Sequence, residues 1–258
     1  MPAEDERKIP LKKDTEKTRR IGLILPADNV IMEPELYALG IEGVVFNAIR
    51  LMSTDHDAMR QQAQECGAVV NELGLDAVVY ACAETSFNAG AVTRQSMSDQ
   101  IANETCLPVV TATDALNAAL RDLGATKISL LTPYTSRSGA ELEATLTDAG
   151  IDVVSSKHHD FRPESGDTRE WYLTNRVTPE RIAHMAGELD TAGAQALVIA
   201  STNLASLRAI PVLEELRGIP VLTTNQAIIS WCAKELGFRM PTTLGHLSAV
   251  VNERALVG

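Results

Sequence analysis

The sequence predicts an α/β protein of two pseudo-symmetric lobes, each a short parallel sheet flanked by helices, with an active site in the crevice between them. Three observations carry this expectation. Short continuous apolar runs alternate with amphipathic stretches, three of the runs are echoed later in the chain in the same order, and a cysteine and a serine stand at echoed positions. Runs that are apolar throughout, rather than at every second residue, are what a parallel sheet covered on both faces requires.

The first run, Ile21-Gly-Leu-Ile-Leu-Pro26, is closed by a proline, and comparable runs follow at 43–49, 76–80, 108–111, 127–132, 151–154, 196–200 and 220–223. Their brevity argues for strands. Between them, 57–73, 92–103, 139–149 and 179–192 are amphipathic and read as helices, several with a glycine near an end, and a further helix is expected after Thr224.

The echoes organise these elements. Ile128-Ser-Leu-Leu-Thr-Pro133 repeats the first run, Ala196-Leu-Val-Ile-Ala-Ser201 repeats Ala77-Val-Val-Tyr-Ala-Cys82, and Ile219-Pro-Val-Leu-Thr223 repeats Leu107-Pro-Val-Val-Thr111. A single echo is ordinary in α/β chains, but three in one order indicate two copies of a lobe. The expected division is a flexible arm at 1–20, a first lobe from 21–118 plus 224–258, and a second lobe at 119–223. Facing lobes would gather the carboxyl ends of their strands around one crevice, where open α/β sheets bind ligands.

Composition narrows the function. The chain has 258 residues, 45% hydrophobic and 22% charged, an ordinary globular balance. A formal net charge of −11 argues against a nucleic-acid or anionic-membrane surface, which needs clustered Lys and Arg. No apolar run is long enough to cross a bilayer, and the first twenty residues are charged where a signal peptide is apolar, so a soluble, cytoplasmic protein is expected. The four cysteines are far apart, without a Cys-x-x-Cys pair or a histidine at ligand spacing, and neither a disulfide framework nor a metal site is expected.

Cys82 is the cysteine best placed for chemistry. It follows the strand at 76–80 and precedes Ala83, Glu84, Thr85 and Ser86, so hydroxyl and N–H donors at a helix start would favour its thiolate. The plain alternative is a small buried cysteine, the reading preferred for Cys66, Cys106 and Cys232. Ser201 holds the echoed position, within Ala200-Ser-Thr-Asn-Leu204. If a pseudo-twofold axis relates the lobes, the two side chains approach a substrate from opposite faces.

From residue 21 to about 245 the chain resembles the aspartate/glutamate racemase superfamily, and within it the branch of maleate isomerases and arylmalonate decarboxylases. The motifs are Leu25-Pro-Ala-Asp-Asn-Val-Ile-Met-Glu-Pro34, Tyr80-Ala-Cys82, Thr132-Pro-Tyr-Thr135 and Ala200-Ser-Thr-Asn-Leu204. The resemblance implies Cys82 and Ser201 at the two catalytic positions, with Asn29 and Tyr134 on a substrate carboxylate. It also implies cofactor-free chemistry on a small carboxylic or dicarboxylic acid. An enediolate or aci-carboxylate intermediate would be stabilised by neutral donors, for which Asn29, Ala83, Thr85, Ser86, Tyr134, Thr135, Thr202 and Asn203 are the candidates. Any one of the hydroxyls can equally be a helix cap.

One departure bears on the reaction. Racemases and maleate isomerases of the group carry cysteine at both positions, whereas here the second is serine, which ionises negligibly near neutral pH. Two-base racemisation is therefore disfavoured. Arylmalonate decarboxylases have their single cysteine at the second position and glycine at the first, so this chain is their mirror image. Glu84 is not expected from the maleate-isomerase pattern; it either caps the helix or meets an ammonium group. The leading expectation is a cofactor-independent isomerase acting through Cys82. The alternatives are a malonate-type decarboxylase with Cys82 as proton donor, a protein like the ectoine-utilisation members of the superfamily, and a catalytically silent carboxylate-binding protein. The polar segment 155–174, with His158, His159, Arg162, Arg169, Trp171 and Tyr172, is expected to be a loop over the crevice, while His56, His184 and His246 read as surface or helix residues. Relatives are often dimers or larger, and the sequence leaves a homo-oligomer open.

Overall fold

The computed structural model describes residues 18–53, 55–165 and 171–254. Most of the expected arm and Arg169 lie outside them. Arg19 and Arg20, assigned to the arm, instead open the first strand, because Arg19 N–H donates to Gly43 O and Arg20 N–H to Asp76 Oδ2.

Eight strands form where apolar runs were expected. The first sheet contains β1 (Arg19–Pro26), β2 (Val44–Leu51), β3 (Ala77–Tyr80) and β4 (Val109–Thr111) in the order β2-β1-β3-β4. The second contains β5 (Lys127–Thr132), β6 (Asp152–His158), β7 (Ala196–Ile199) and β8 (Val221–Thr223) in the order β6-β5-β7-β8. All pairings are parallel. The echoed runs occupy equivalent places, β1 with β5, β3 with β7 and β4 with β8.

In the first half the helices are α1 (Met32–Ala38), α2 (His56–Gln64), α3 (Gly67–Glu72), α4 (Ala83–Phe87), α5 (Gly90–Thr105) and α6 (Ala112–Leu123). In the second they are α7 (Ser136–Asp148), α8 (Arg162–Ser165), α9 (Trp171–Thr174), α10 (Pro179–Gly187), α11 (Ile210–Arg217), α12 (Thr224–Leu236) and α13 (Gly245–Arg254). The helix expected over 57–73 is two, separated at Cys66. Gly67 lets α3 approach α5, since a Cβ there would run into Glu104. Helix α7 starts earlier than expected because the Thr135 hydroxyl accepts from Ser138 N–H and caps it.

The segment 155–174 is not one loop. Its first residues continue β6 to His158, whose ring bonds Thr132 Oγ1 and Glu143 Oε1 at 2.9 Å each and packs over Gly139, where a Cβ would collide with it. His159 and Arg181 both engage Glu164, and Arg162 pairs with Asp160. Cys66 and Cys232 are buried, as expected of structural cysteines, whereas Cys106 is exposed and ends α5 in the left-handed region at φ 55°.

The core crosses from one lobe to the other. Leu23 and Leu25 of β1, Leu116 and Leu120 of α6, Ile128 and Leu130 of β5, and Ile228 and Ile229 of α12 belong to one buried cluster, with α6 packed along α12. Each such side chain contributes roughly 1.5–3 kcal/mol by leaving water, so the lobes are held together by the same force that builds them. No described helix is long and apolar enough to cross a membrane.

Candidate active site

Cys82 and Ser201, each two residues beyond the end of its strand, β3 and β7, line one pocket of about 130 Å³. The wall continues with Pro26, Asp28 and Asn29 after β1, Ser53, His56 and Met59 around the start of α2, and Ala83, Glu84 and Thr85 of α4. Pro133, Tyr134, Thr174, Thr202 and Asn203 complete it from the second lobe.

Cys82 has extended backbone and immediately precedes α4. Its thiol is 8% exposed, and burial pushes its pKa up to about 11, helped by the charges of Glu84 and Asp28 and opposed by hydrogen bonds from the Thr85 hydroxyl and backbone. The donors expected for the thiolate are present, but burial outweighs them and favours the protonated thiol. Thr85 is itself held by Tyr80, whose hydroxyl lies 2.6 Å from Thr85 Oγ1 and whose own ionisation is pushed up by burial.

Ser201 is 3% exposed. Its Oγ accepts from Asn203 N–H at 3.1 Å, and its own proton has no acceptor among the described residues, leaving it available to a ligand. Tyr134 is buried and packs edge-on against Phe87, ring centroids 5.4 Å apart.

Asn29 also spans the lobes. Its Oδ1 accepts from the Ile31 and Met32 N–H groups, and its Nδ2 faces Thr202 O and Oγ1 at 3.2 Å each. A second bridge lies behind it. Glu35 accepts from Leu207 N–H at 2.9 Å and from Asn225 Nδ2 at 2.8 Å, and Asn225 also donates to Thr202 O. Burial raises the Glu35 pKa to about 7 although both partners favour its charge. The 26–29 turn is fixed from outside by Arg50, whose guanidinium donates to Pro26 O, Asn29 O and Glu33.

Nine of the eleven residues expected at the site therefore line the pocket. Ser86 does not: its hydroxyl donates to Ala83 O and meets Thr113 Oγ1, on the far side of α4. Thr135 does not either, because it caps α7. Asp28, Ser53, His56, Met59 and Thr174 were not foreseen. His56, read as a surface or helix residue, is the first residue of α2 and turns Nδ1 to Asn88 Nδ2 at 2.6 Å.

Two like lobes share one pocket, with a thiol after one strand and a hydroxyl after its counterpart, and this defines the class as a two-lobed α/β protein with its candidate site in the crevice. Within it, the arylmalonate decarboxylase family profile matches residues 21–248, and the chain belongs to that family. A maleate isomerase of Geobacillus stearothermophilus is 26% identical over 239 residues, 85% of this chain and 92% of that protein. The crystal structure of the maleate isomerase Iso from Pseudomonas putida S16 is similar with a TM-score of 0.82 at 21% identity, covering 91% of this chain and 100% of that one. A mutant of the Nocardia farcinica maleate cis-trans isomerase, with serine in place of one cysteine and a covalently bound succinylcysteine intermediate, has a TM-score of 0.78 at 23% identity over 88% of this chain and 98% of that one.

Proposed function

We propose that this chain is a cofactor-independent, cysteine-dependent isomerase of a small carboxylic acid, with Cys82 as the reacting group and Ser201 as a hydrogen-bond donor on the opposite face. The observation that carries this reading is that the two echoed strand ends deliver both side chains to one buried pocket. The assignment of 21–118 with 224–258 to one lobe and 119–223 to the other is part of the proposal, supported by the packing of α6 on α12 about the lobe boundary.

For a substrate with a double bond beside its carboxylate, the chemistry is addition and elimination. The thiol S–H adds across the double bond, so an S–C and a C–H bond form while the π bond and the S–H bond are lost. The new single bond rotates, and the reverse steps release the trans acid and restore the thiol. The Ser201 hydroxyl and the side chains of Tyr134, Thr202 and Asn203 are placed to stabilise the charge that builds on the carboxylate. The maleate isomerase relatives support this, as does the succinylcysteine of the mutant in which serine replaces one cysteine, since this chain pairs one cysteine with one serine.

A second reading, decarboxylation of a malonate-type acid with Cys82 as proton donor, is favoured by the raised thiol pKa, because the donor step needs a protonated group. Proton NMR in deuterated water separates the two. Cis-to-trans conversion or alpha-hydrogen exchange is expected; carbon dioxide release without either would establish the decarboxylase, and no turnover of any small acid would leave a binding protein.

A further inference from the structure

The charge inside the pocket restricts which carboxylic acid it accepts. Its lining contains Asp28 and Glu84 and, among the described residues, no lysine or arginine. Neither carboxylate has an ion-pair partner among the described residues, in contrast to Asp114, Asp160 and Glu164, which are paired with arginines. Burial pushes the Asp28 carboxyl above its ordinary value and the Arg50 charge opposes that from a distance, but the guanidinium itself is committed to Glu33 and to the carbonyls of Pro26 and Asn29. Two unpaired acids in a half-enclosed pocket repel a dianion and attract a cation, more strongly than they would in water.

On the reading that a carboxylate binds beside Cys82, we propose that the substrate is an acid that also carries an ammonium group, its carboxylate toward Ser201, Thr202 and Tyr134 and its ammonium between Asp28 and Glu84. The carboxylate end is supplied with neutral donors, including the Ser201 hydroxyl whose proton is unclaimed among the described residues. The ammonium end is supplied with acceptors only. Glu84 is the residue that departs from the maleate-isomerase pattern, and it sits in the first turn of α4 without a side-chain hydrogen bond among the described residues.

The same arrangement would prepare the thiol. Asp28 and Glu84 both oppose ionisation of Cys82, and an ammonium lodged between them offsets that opposition, whereas a dianion adds to it.

The test uses the full chain and reads protection of Cys82 from iodoacetamide by mass spectrometry of its peptide. The probes share one carbon skeleton: butyrate, succinate, and 2-, 3- and 4-aminobutyrate. At least one aminobutyrate is expected to protect at roughly tenfold lower concentration than butyrate or succinate, and the Asp28→Asn, Glu84→Gln double variant to erase that margin. If the double variant does not fold, Glu84→Gln alone must still cut the margin about threefold. Better protection by succinate, or an aminobutyrate margin that survives these substitutions, overturns the ammonium assignment while leaving the carboxylate pocket in place. Failure of every acid to protect a thiol that alkylates freely overturns both.

Discussion

The two lobes share a strand order and differ where the chemistry sits. In the first, β3 runs through Cys82 directly into α4, so the sulfur sits beside Thr85, which Tyr80 holds in turn. In the second, β7 leads into an irregular turn before α11, and among the described residues Ser201 is held by the N–H of Asn203 alone. The difference teaches that two like lobes bring two side chains to equivalent positions, while the local chain after each strand gives them unequal surroundings, and on the proposed reading unequal tasks.

Breaking the sulfur side should have the largest effect. Cys82→Ala is expected to lower turnover by roughly 10²–10⁴-fold in a steady-state assay, with an unchanged melting temperature showing that the fold is intact. Unimpaired turnover would refute the assignment of Cys82. On the hydroxyl side, Ser201→Ala should cost about ten- to a hundredfold, the scale of one lost donor to a developing oxyanion. Ser201→Cys sharpens the comparison instead, because it makes the lobes chemically alike. It is expected to add alpha-hydrogen exchange from the second face, read as deuterium incorporation with loss of optical purity.

The remaining effect falls on stability rather than turnover, at the bridge between the lobes. Glu35 has a pKa of about 7 in the folded protein against an ordinary value of 4.5. Between those values the folded chain holds a proton that the unfolded chain has released, so stability falls as pH rises through that window. The loss is at most about 3 kcal/mol. In denaturant titrations at about pH 5 and about pH 8, Glu35→Gln should show a flatter profile than the parent. Parallel profiles would mean that the bridge does not titrate.

The strands were legible because each contains a short apolar run, although β6 continues past its run through Ser155, Ser156 and Lys157 to His158, where no apolar signal marks it. Helix α6 was harder to see. Its buried face contains Ala112, Ala115, Leu116, Ala119 and Leu120, and the alanines make a weak apolar signal even at perfect helical spacing. Within the site, Cys82 and Ser201 were legible because strand ends are where α/β folds place their chemistry. Ser86 was misplaced because one step along a helix turns a side chain by about 100°, which carries Ser86 away from the wall that Thr85 faces and toward Thr113. Asp28 stands inside the 25–34 motif beside Asn29 without a signal of its own, and Ser53, His56, Met59 and Thr174 belong to no motif. They reach the pocket only when separate segments close around it, and no local pattern encodes that closure.

Asn29 caps α1 with its oxygen and reaches Thr202 across the crevice with its nitrogen. One side chain thus bridges the two walls of the crevice. A ligand carboxylate that takes over the Asn29 nitrogen exchanges one tether for another rather than pulling two free bodies together, so little ordering is left to oppose its arrival.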